Sequence, residues 1–539
     1  MPDDTGGSLR CRELVLLRVL AVWLAVAARG CDALAQSPAT IARTPLTIGQ
    51  ITDQFDAPPS GPGDALSQPT FVFPQLGPLG GTVSGQGDLR PPRGPPSGAD
   101  WGASEDVREP YRADMPPIRR KVGTSFGRGL TWKSDDGFFE LAFHDLTQLD
   151  LRVFNPTGNP LVDNFVIPRQ RWYFEGYVSQ YASYYTVINK GYGSLDVLDA
   201  FADFNFEGRP MSGERLDRRK LEVRVGRMKT PYTYEYSEMS ESNLIAPERS
   251  VFIGNMAGNR QLGMMVHGDV LENRLRYAVG VFNGQRRSFQ DFNNGKDLYT
   301  YFSSRPFLKT KVEALQQLNL GGSFNFGQEH NPLQPATLRT ANDQSRLDQA
   351  ATVSPAFLTF NPNDLENGLR MQWGADVTYY YKSLGIMSGY QGGFQDYSTS
   401  PTTPVRTRVP LSGYEVSLFY FLTGEEITRR GYLLQPRNPL GEIGDTRGDN
   451  PRRGFGAIEL FGRFANMHLG GDVLSSGLAT ATSANNANVT DIGFNWYLVH
   501  YVKLTVDWQY SEYNRPVALT PGSTTKFNNL FWFRSQIYF

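Results

Sequence analysis

From residue 117 to the end of the chain, apolar and polar side chains alternate in short runs separated by turns or polar connections. In Val502 to Tyr510, residues Val502, Leu504, Val506, Trp508 and Tyr510 share one face, and Lys503, Thr505, Asp507 and Gln509 share the other. Met371, Trp373, Ala375, Val377, Tyr379 and Tyr381 oppose Arg370, Gln372, Asp376, Thr378 and Lys382. Tyr414, Val416, Leu418, Tyr420 and Leu422 oppose Glu415 and Ser417, while Leu275, Tyr277, Val279 and Val281 oppose Arg274 and Arg276. A period of two is the mark of a strand with two unlike faces. The apolar faces often end in Trp or Tyr, as aromatic girdles do at a membrane interface, and the polar faces carry charge along their length. A soluble β-sandwich also alternates, but its inner face is a dry core that has no use for rows of charge. About fifteen such segments can be counted, and bacterial barrels use even strand numbers, so the pattern predicts an all-β transmembrane antiparallel β-barrel of sixteen strands.

The last segment sets Phe531, Phe533, Ile537 and Phe539 on one face, and a terminal aromatic there resembles the signature by which outer-membrane proteins are recognised for assembly. Closing the barrel is expected to pair this strand with the first, around Val122 to Trp132.

The N-terminal part has a different texture. Arg10 and Arg12 precede a run from Leu14 to Ala28 that is apolar apart from Arg18, and Ala33-Leu34-Ala35 offers a small-residue cleavage site before Gln36. Lipidation at Cys31 is the alternative, but Ala28-Arg29-Gly30 departs from a lipobox. An uncleaved anchor would need ~20 apolar residues. Residues 1–35 therefore read as a signal peptide. Both cysteines, Cys11 and Cys31, fall inside it, so the exported chain would carry no disulfide, Cys-zinc site or catalytic thiol. Runs such as Pro58-Pro59-Ser60-Gly61-Pro62-Gly63 and Pro91-Pro92-Arg93-Gly94-Pro95-Pro96 make residues 36–115 a disordered periplasmic linker, leaving 116–539 for the barrel in the outer membrane.

Composition agrees with this division. The 539 residues include 55 Gly and 26 Tyr, with 13% aromatics, yet mean hydropathy is −0.39. A formal net charge of −1 gives no footprint for nucleic acid, so ion preference must come from local charge placement. The histidines, His144, His267, His330, His468 and His500, stand singly, outside any metal-binding or catalytic spacing. The chain is read as a non-enzyme without cofactor or metal. An energy-coupled transporter would begin with a folded plug, for which the region before Pro116 is too short and too rich in Pro and Gly. A structural or adhesive barrel, binding partners through loops such as Gln328 to Asn367, remains the alternative.

Strand phase places Arg152, Arg171, Arg224, Arg274, Arg276, Arg370, Lys382 and Lys503 inward. It also turns Glu140, Asp150, Glu175, Glu222, Asp376, Glu415 and Asp507 inward, so the two signs nearly cancel. Such a lumen is a wet pore for small hydrophilic solutes with no stated ion preference.

Five segments in order resemble one family. Arg224-Val225-Gly226-Arg227-Met228-Lys229-Thr230-Pro231-Tyr232 is similar to the Gly-x-Phe-Lys-x-Pro-Phe stretch of the porin O/P family, the phosphate-selective porins. Glu248-Arg249-Ser250, Gly258-Asn259-Arg260-Gln261-Leu262-Gly263, Phe421-Leu422-Thr423-Gly424-Glu425 and Gly493-Phe494-Asn495-Trp496-Tyr497-Leu498 follow, the resemblance running from about residue 120 to the C-terminus. It implies a sixteen-stranded diffusion porin, usually a homotrimer in outer-membrane lipid, passing phosphate or polyphosphate. It also implies a loop folded inward, for which Tyr234 to Met256 is the candidate. That loop carries Glu235, Glu238, Glu241 and Glu248 beside Arg249, an acidic departure from an anion constriction. Arg227 and Lys229 lie in the family motif and are the expected solute contacts. They share parity with apolar Val225, and Gly226 could mark a bulge that reverses the phase. Lys229 then attracts anions near the constriction, or else is a solvated strand end at the rim.

Overall fold

The computed structural model describes residues 121–539 apart from 128, 159–160, 209–218, 344–353, 401–404, 432, 441–453 and 521. The expected signal segment and linker lie outside the described residues. The strands are β1 (Val122–Gly127), β2 (Gly129–Ser134), β3 (Glu140–Asn155), β4 (Asn164–Tyr177), β5 (Ala182–Gly191), β6 (Ser194–Asn205) and β7 (Glu222–Lys229). They continue with β8 (Arg260–Val270), β9 (Leu275–Phe282), β10 (Asp297–Ser304), β11 (Leu318–Pro332), β12 (Thr337–Arg339), β13 (Ala356–Thr359) and β14 (Leu365–Tyr381). The last six are β15 (Leu384–Ser398), β16 (Thr407–Phe421), β17 (Ala457–Leu469), β18 (Asn486–Val499), β19 (Val502–Thr520) and β20 (Ser523–Tyr538).

Each barrel strand pairs antiparallel with its neighbour, and β20 returns to β3 in a register running from Asn529↔Asn155 to Tyr538↔Leu146. Sixteen strands thus close the barrel, leaving no open edge. The closing partner differs from the one expected. The segment Val122 to Trp132 belongs to the β1–β2 hairpin, which takes only the start of the β3 edge, Glu140 to Phe143. At six residues β2 is too short to span, since a tilted spanning strand needs about 9–11. The sixteen-residue β3 has the length.

The two faces sort as the alternation predicts. On β16, Tyr414, Val416, Leu418 and Tyr420 are exposed on the outside while Glu415 and Ser417 are buried. On β20, Phe531, Phe533 and Ile537 face outward, whereas Trp532, Arg534 and Gln536 are buried inside. Phe539 continues the ladder, exchanging backbone hydrogen bonds with Asp145.

The interior is not evenly filled. β11 and β14–β20 are 13–19 residues long and enclose an apolar cluster. That cluster combines Phe252 and Ile253 of a short helix (Val251–Met256) with Leu338, Phe357, Leu358 and Phe360 from the β12–β13 hairpin and Leu411, Met467, Tyr513 and Trp532 of the wall. Much of the stretch from Gln328 to Asn367, expected as a free loop, is therefore strand or packed hairpin, because its apolar residues have a core to enter. On the other side, β5–β10 are only 8–12 residues long and border open space.

The closing seam is pinned electrostatically. Arg534 on β20 reaches both carboxylate oxygens of Asp150 on β3, at 2.6 and 2.8 Å, and the pair is buried. Replacing Arg534 with Ala leaves Asp150 with Arg152 alone, at 2.8 Å, and removes two buried charge-assisted hydrogen bonds across the seam, so we expect the urea midpoint of the detergent-refolded barrel to fall by the equivalent of about 1–3 kcal/mol. A midpoint within error of the parent would show that the seam does not depend on this pair.

Candidate functional site: the inward loop and its cationic cluster

Residues 230–259 leave the wall after β7 and rejoin it at β8, and their course is set by local chemistry. Pro231 lacks the N–H needed to extend β7. The ends are tied by Thr230 N–H donating to the Asn259 carbonyl (3.0 Å). Asn259 sits at φ 59°, the left-handed turn that brings the chain back. Gly258 beside it must lack a side chain, for a Cβ would lie 2.5 Å from Thr230 Oγ1 and 2.6 Å from Tyr299 Oη. Glu235 closes the loop on itself, accepting from Ser250 N–H (2.9 Å) and Ser250 Oγ (2.6 Å).

Across the lumen the loop offers carbonyls and carboxylates to donors on the wall. Lys503 Nζ donates to Leu244 O at 2.8 Å, Asn495 to Ile245 O at 2.9 Å and Gln536 to Ser242 O at 2.8 Å. Arg463 donates to Glu248 O at 2.7 Å and Arg534 to Pro247 O at 2.5 Å. The Glu248 carboxylate receives Arg169 through both terminal nitrogens and Arg534 at 3.0 Å. Nearly all of these groups are buried, so each ion pair works at reduced dielectric.

The other edge of the loop carries a different arrangement. Glu241 opens a short 3-10 turn (Glu241–Asn243), and four cations converge on its Oε1. Lys229 Nζ stands at 2.8 Å, Arg249 at 3.4 Å, and Arg171 and Arg260 at 3.5 Å. Asp199, 2.9 Å from Arg260, is the second carboxylate of the group. Burial works against ionisation, but Lys229 and the three arginines outweigh it and hold the Glu241 carboxyl well below the usual carboxylate range. The arginines are 1–3% exposed, whereas Lys229 and Glu241 keep 23% and 13%. Lys229 thus forms the solvent-facing corner of the cluster.

That corner borders a cavity of about 650 Å³ between the loop and strands β3–β10. Glu140, Glu175, Asp199, Asp203, Glu222, Glu238 and Asp269 line it, against Arg219, Arg224, Lys229 and Arg276. Several are already paired, as Arg224 with Asp203 at 2.8 Å and Arg276 with Glu238 at 2.6 Å and Asp269 at 2.8 Å.

The sequence-derived residues divide accordingly. Arg171, Arg224, Lys229 and Arg276 face this cavity or its cluster. Arg152 is fully buried with Asp150 and stacked on Trp532, Lys503 is spent on the loop, and Arg370 sits among Asp297, Glu329 and Glu366. Arg274 and Lys382 are corrections. Both lie in turns between strands, where the alternation no longer governs direction; Arg274 Nε bonds Leu271 O, and Lys382 has φ 53°. Arg227 is also corrected. Pairing passes through Gly226 without a register shift, so no bulge reverses the phase. Arg227 stays on the Val225 side, donating to the carbonyls of Leu198, Arg287 and Ser288 under the Phe289 ring. Lys229 escapes that phase because it ends the strand. Arg463 and Arg534 also lie on the inward phase of their strands. Arg249 and Arg260 lie where the chain turns, and periodicity says nothing of their direction.

Glu248 is the carboxylate on which the loop depends most. With Glu248→Ala, Arg169 keeps Asp343 at 2.8 Å, but the loop loses its ion pairs to Arg169 and Arg534. We expect larger and noisier single-channel conductance, with faster proteolytic cleavage within 230–259; unchanged conductance would contradict this role.

The family model described as phosphate-selective porin O and P matches residues 169–520. No curated protein matches the chain. Among solved structures, OmpT of Vibrio cholerae in its trimer form is 8% identical over 74% of this chain and 99% of that one, with a TM-score of 0.41. The outer membrane channel DcaP of Acinetobacter baumannii is 9% identical over 76% and 99%, at 0.43. An anion-selective porin from Comamonas acidovorans is 9% identical over 74% and 100%, at 0.40. The family match spans well over half the chain and includes the inward loop and all four clustered cations, and on that ground the protein belongs to the phosphate-selective porin O and P family of outer-membrane barrels.

Proposed function

We propose that this outer-membrane diffusion channel passes small anions, phosphate among them, by way of the cationic corner at Lys229. The observation that carries the reading is the convergence of Lys229, Arg171, Arg249 and Arg260 at the edge of the inward loop, four cations against two carboxylates. Guanidinium and ammonium groups can replace the hydration of an oxyanion, and a narrow, low-dielectric passage concentrates their field. In the adjoining cavity Arg224 and Arg276 are matched by Asp203, Glu238 and Asp269, which leaves the corner as the local excess of positive charge.

The accompanying expectations extend the same reading. Residues 1–35 are removed on export, 36–115 form a periplasmic linker, and the barrel assembles as a homotrimer, as the family does. N-terminal sequencing of the outer-membrane form should begin at Gln36; a start at Cys31 or Met1 would refute the cleavage site.

Conductance tests the channel reading. In a planar bilayer with a KCl gradient, the zero-current potential of the parent should lie on the chloride side. Lys229→Glu should lower the anion-to-cation permeability ratio about tenfold, as a two-unit charge change in a confined passage does. A parent that prefers potassium, or a substitution without effect, would contradict the proposal.

A further inference from the structure

Glu241 stands where a permeating anion would stand. We propose that its carboxylate is a tethered internal anion, which competes with solute for the four-cation seat and thereby sets how tightly the channel holds oxyanions. This inference rests on the anion reading given above and adds a specificity-determining residue to it.

Each arginine has an anchor independent of Glu241. Arg171 Nε donates to Asn189 Oδ1 at 3.2 Å, and Arg260 Nε to Asp199 at 2.9 Å. Arg249 donates to the carbonyls of Glu235 and, at 3.0 Å, of Met239. Lys229 projects from the end of β7 and lies 5.4 Å from the Tyr236 ring. The seat is therefore pre-organised and does not need the carboxylate to assemble it. All four contacts go to one oxygen, Oε1, as they would to a single oxygen of an incoming anion.

The tether has freedom to vacate. The backbone of the turn is fixed by Gln148 Nε2 on the Glu241 carbonyl (3.4 Å) and Gln536 Nε2 on that of Ser242 (2.8 Å). Glu241 keeps 13% of its side chain exposed, and the proposal requires only a change of its side-chain rotamer, with the backbone of the turn left in place. Two buried donors beside the seat also lack hydrogen-bond partners among the described residues, Asn189 Nδ2 and Tyr236 Oη. Asn189 is the residue that holds Arg171, and Tyr236 lies under Lys229 and Arg249. Both are suited to donate to an oxyanion in the seat.

Such a competitor has a functional consequence. A site of four cations would retain a multivalent anion and block its own pore, whereas conduction requires binding weak enough to release. An internal carboxylate lowers apparent affinity by the fraction of time it occupies the seat.

The experiment measures chloride current through the full-length channel in a planar bilayer as inorganic phosphate is added. In Glu241→Gln, the phosphate concentration giving half-block should fall about tenfold relative to the parent. Glu241→Asp, whose shorter side chain withdraws the carboxylate, should fall part of the way and serves if the first variant does not assemble. The double variant Lys229→Gln/Glu241→Gln should return toward the parent. If Glu241 only pins the loop, its removal would raise conductance and leave half-block unchanged; that result, in a channel that is still anion-selective, overturns the inference alone. A parent channel that prefers cations overturns the underlying reading as well.

Discussion

The arrangement of this pore depends on pairing between guanidinium groups that the wall turns inward and the oxygens of one loop that crosses the lumen. Arg169, Arg463 and Arg534 meet Glu248 or the carbonyls beside it, and Lys503 meets Leu244. None of these charges is tolerable alone at such burial. The loop is held because the wall requires acceptors, and the wall tolerates its arginines because the loop supplies them. The acidity of the loop, which looks out of place in an anion channel, follows from this exchange. Glu235 and Glu248 are structural counter-charges that face the packed side.

The same division of labour produces the asymmetry of the barrel. Long strands and the β12–β13 hairpin build an apolar cluster over one half of the interior, closing it. The short strands β5–β10 border the cavity, where the loop presents its other edge. Glu241 is the one loop carboxylate on that edge to meet a surplus of cations. Positive charge is thus in surplus at this corner, whereas Arg224 and Arg276 in the adjoining cavity are matched by Asp203, Glu238 and Asp269.

How much of this the sequence discloses varies by element. Alternation identifies the strands, because a wet lumen and a lipid exterior impose opposite demands on neighbouring residues; of the residues it turns inward, Arg171 and Glu415 are buried and Arg224 and Arg276 line the cavity. It fails at strand ends. Arg274 and Lys382 keep the rhythm but sit in turns, and Lys229 breaks its strand's phase because the chain is already leaving the wall. The near-cancellation of inward charges is uninformative as a map, since Arg152 and Arg370 are consumed in buried pairs. Arg249 and Arg260 had no periodic signal; only the folded path of 230–259 brings them to Arg171.

The central claim is that the corner formed by Lys229, Arg171, Arg249 and Arg260 is the station at which anions cross. Anomalous diffraction from crystals of the assembled barrel soaked in bromide tests it directly. The account predicts a bromide peak within contact distance of Lys229 and Arg260, with the Glu241 side chain rotated away. Bromide distributed elsewhere along the lumen, with Glu241 still seated among the four cations, would contradict it.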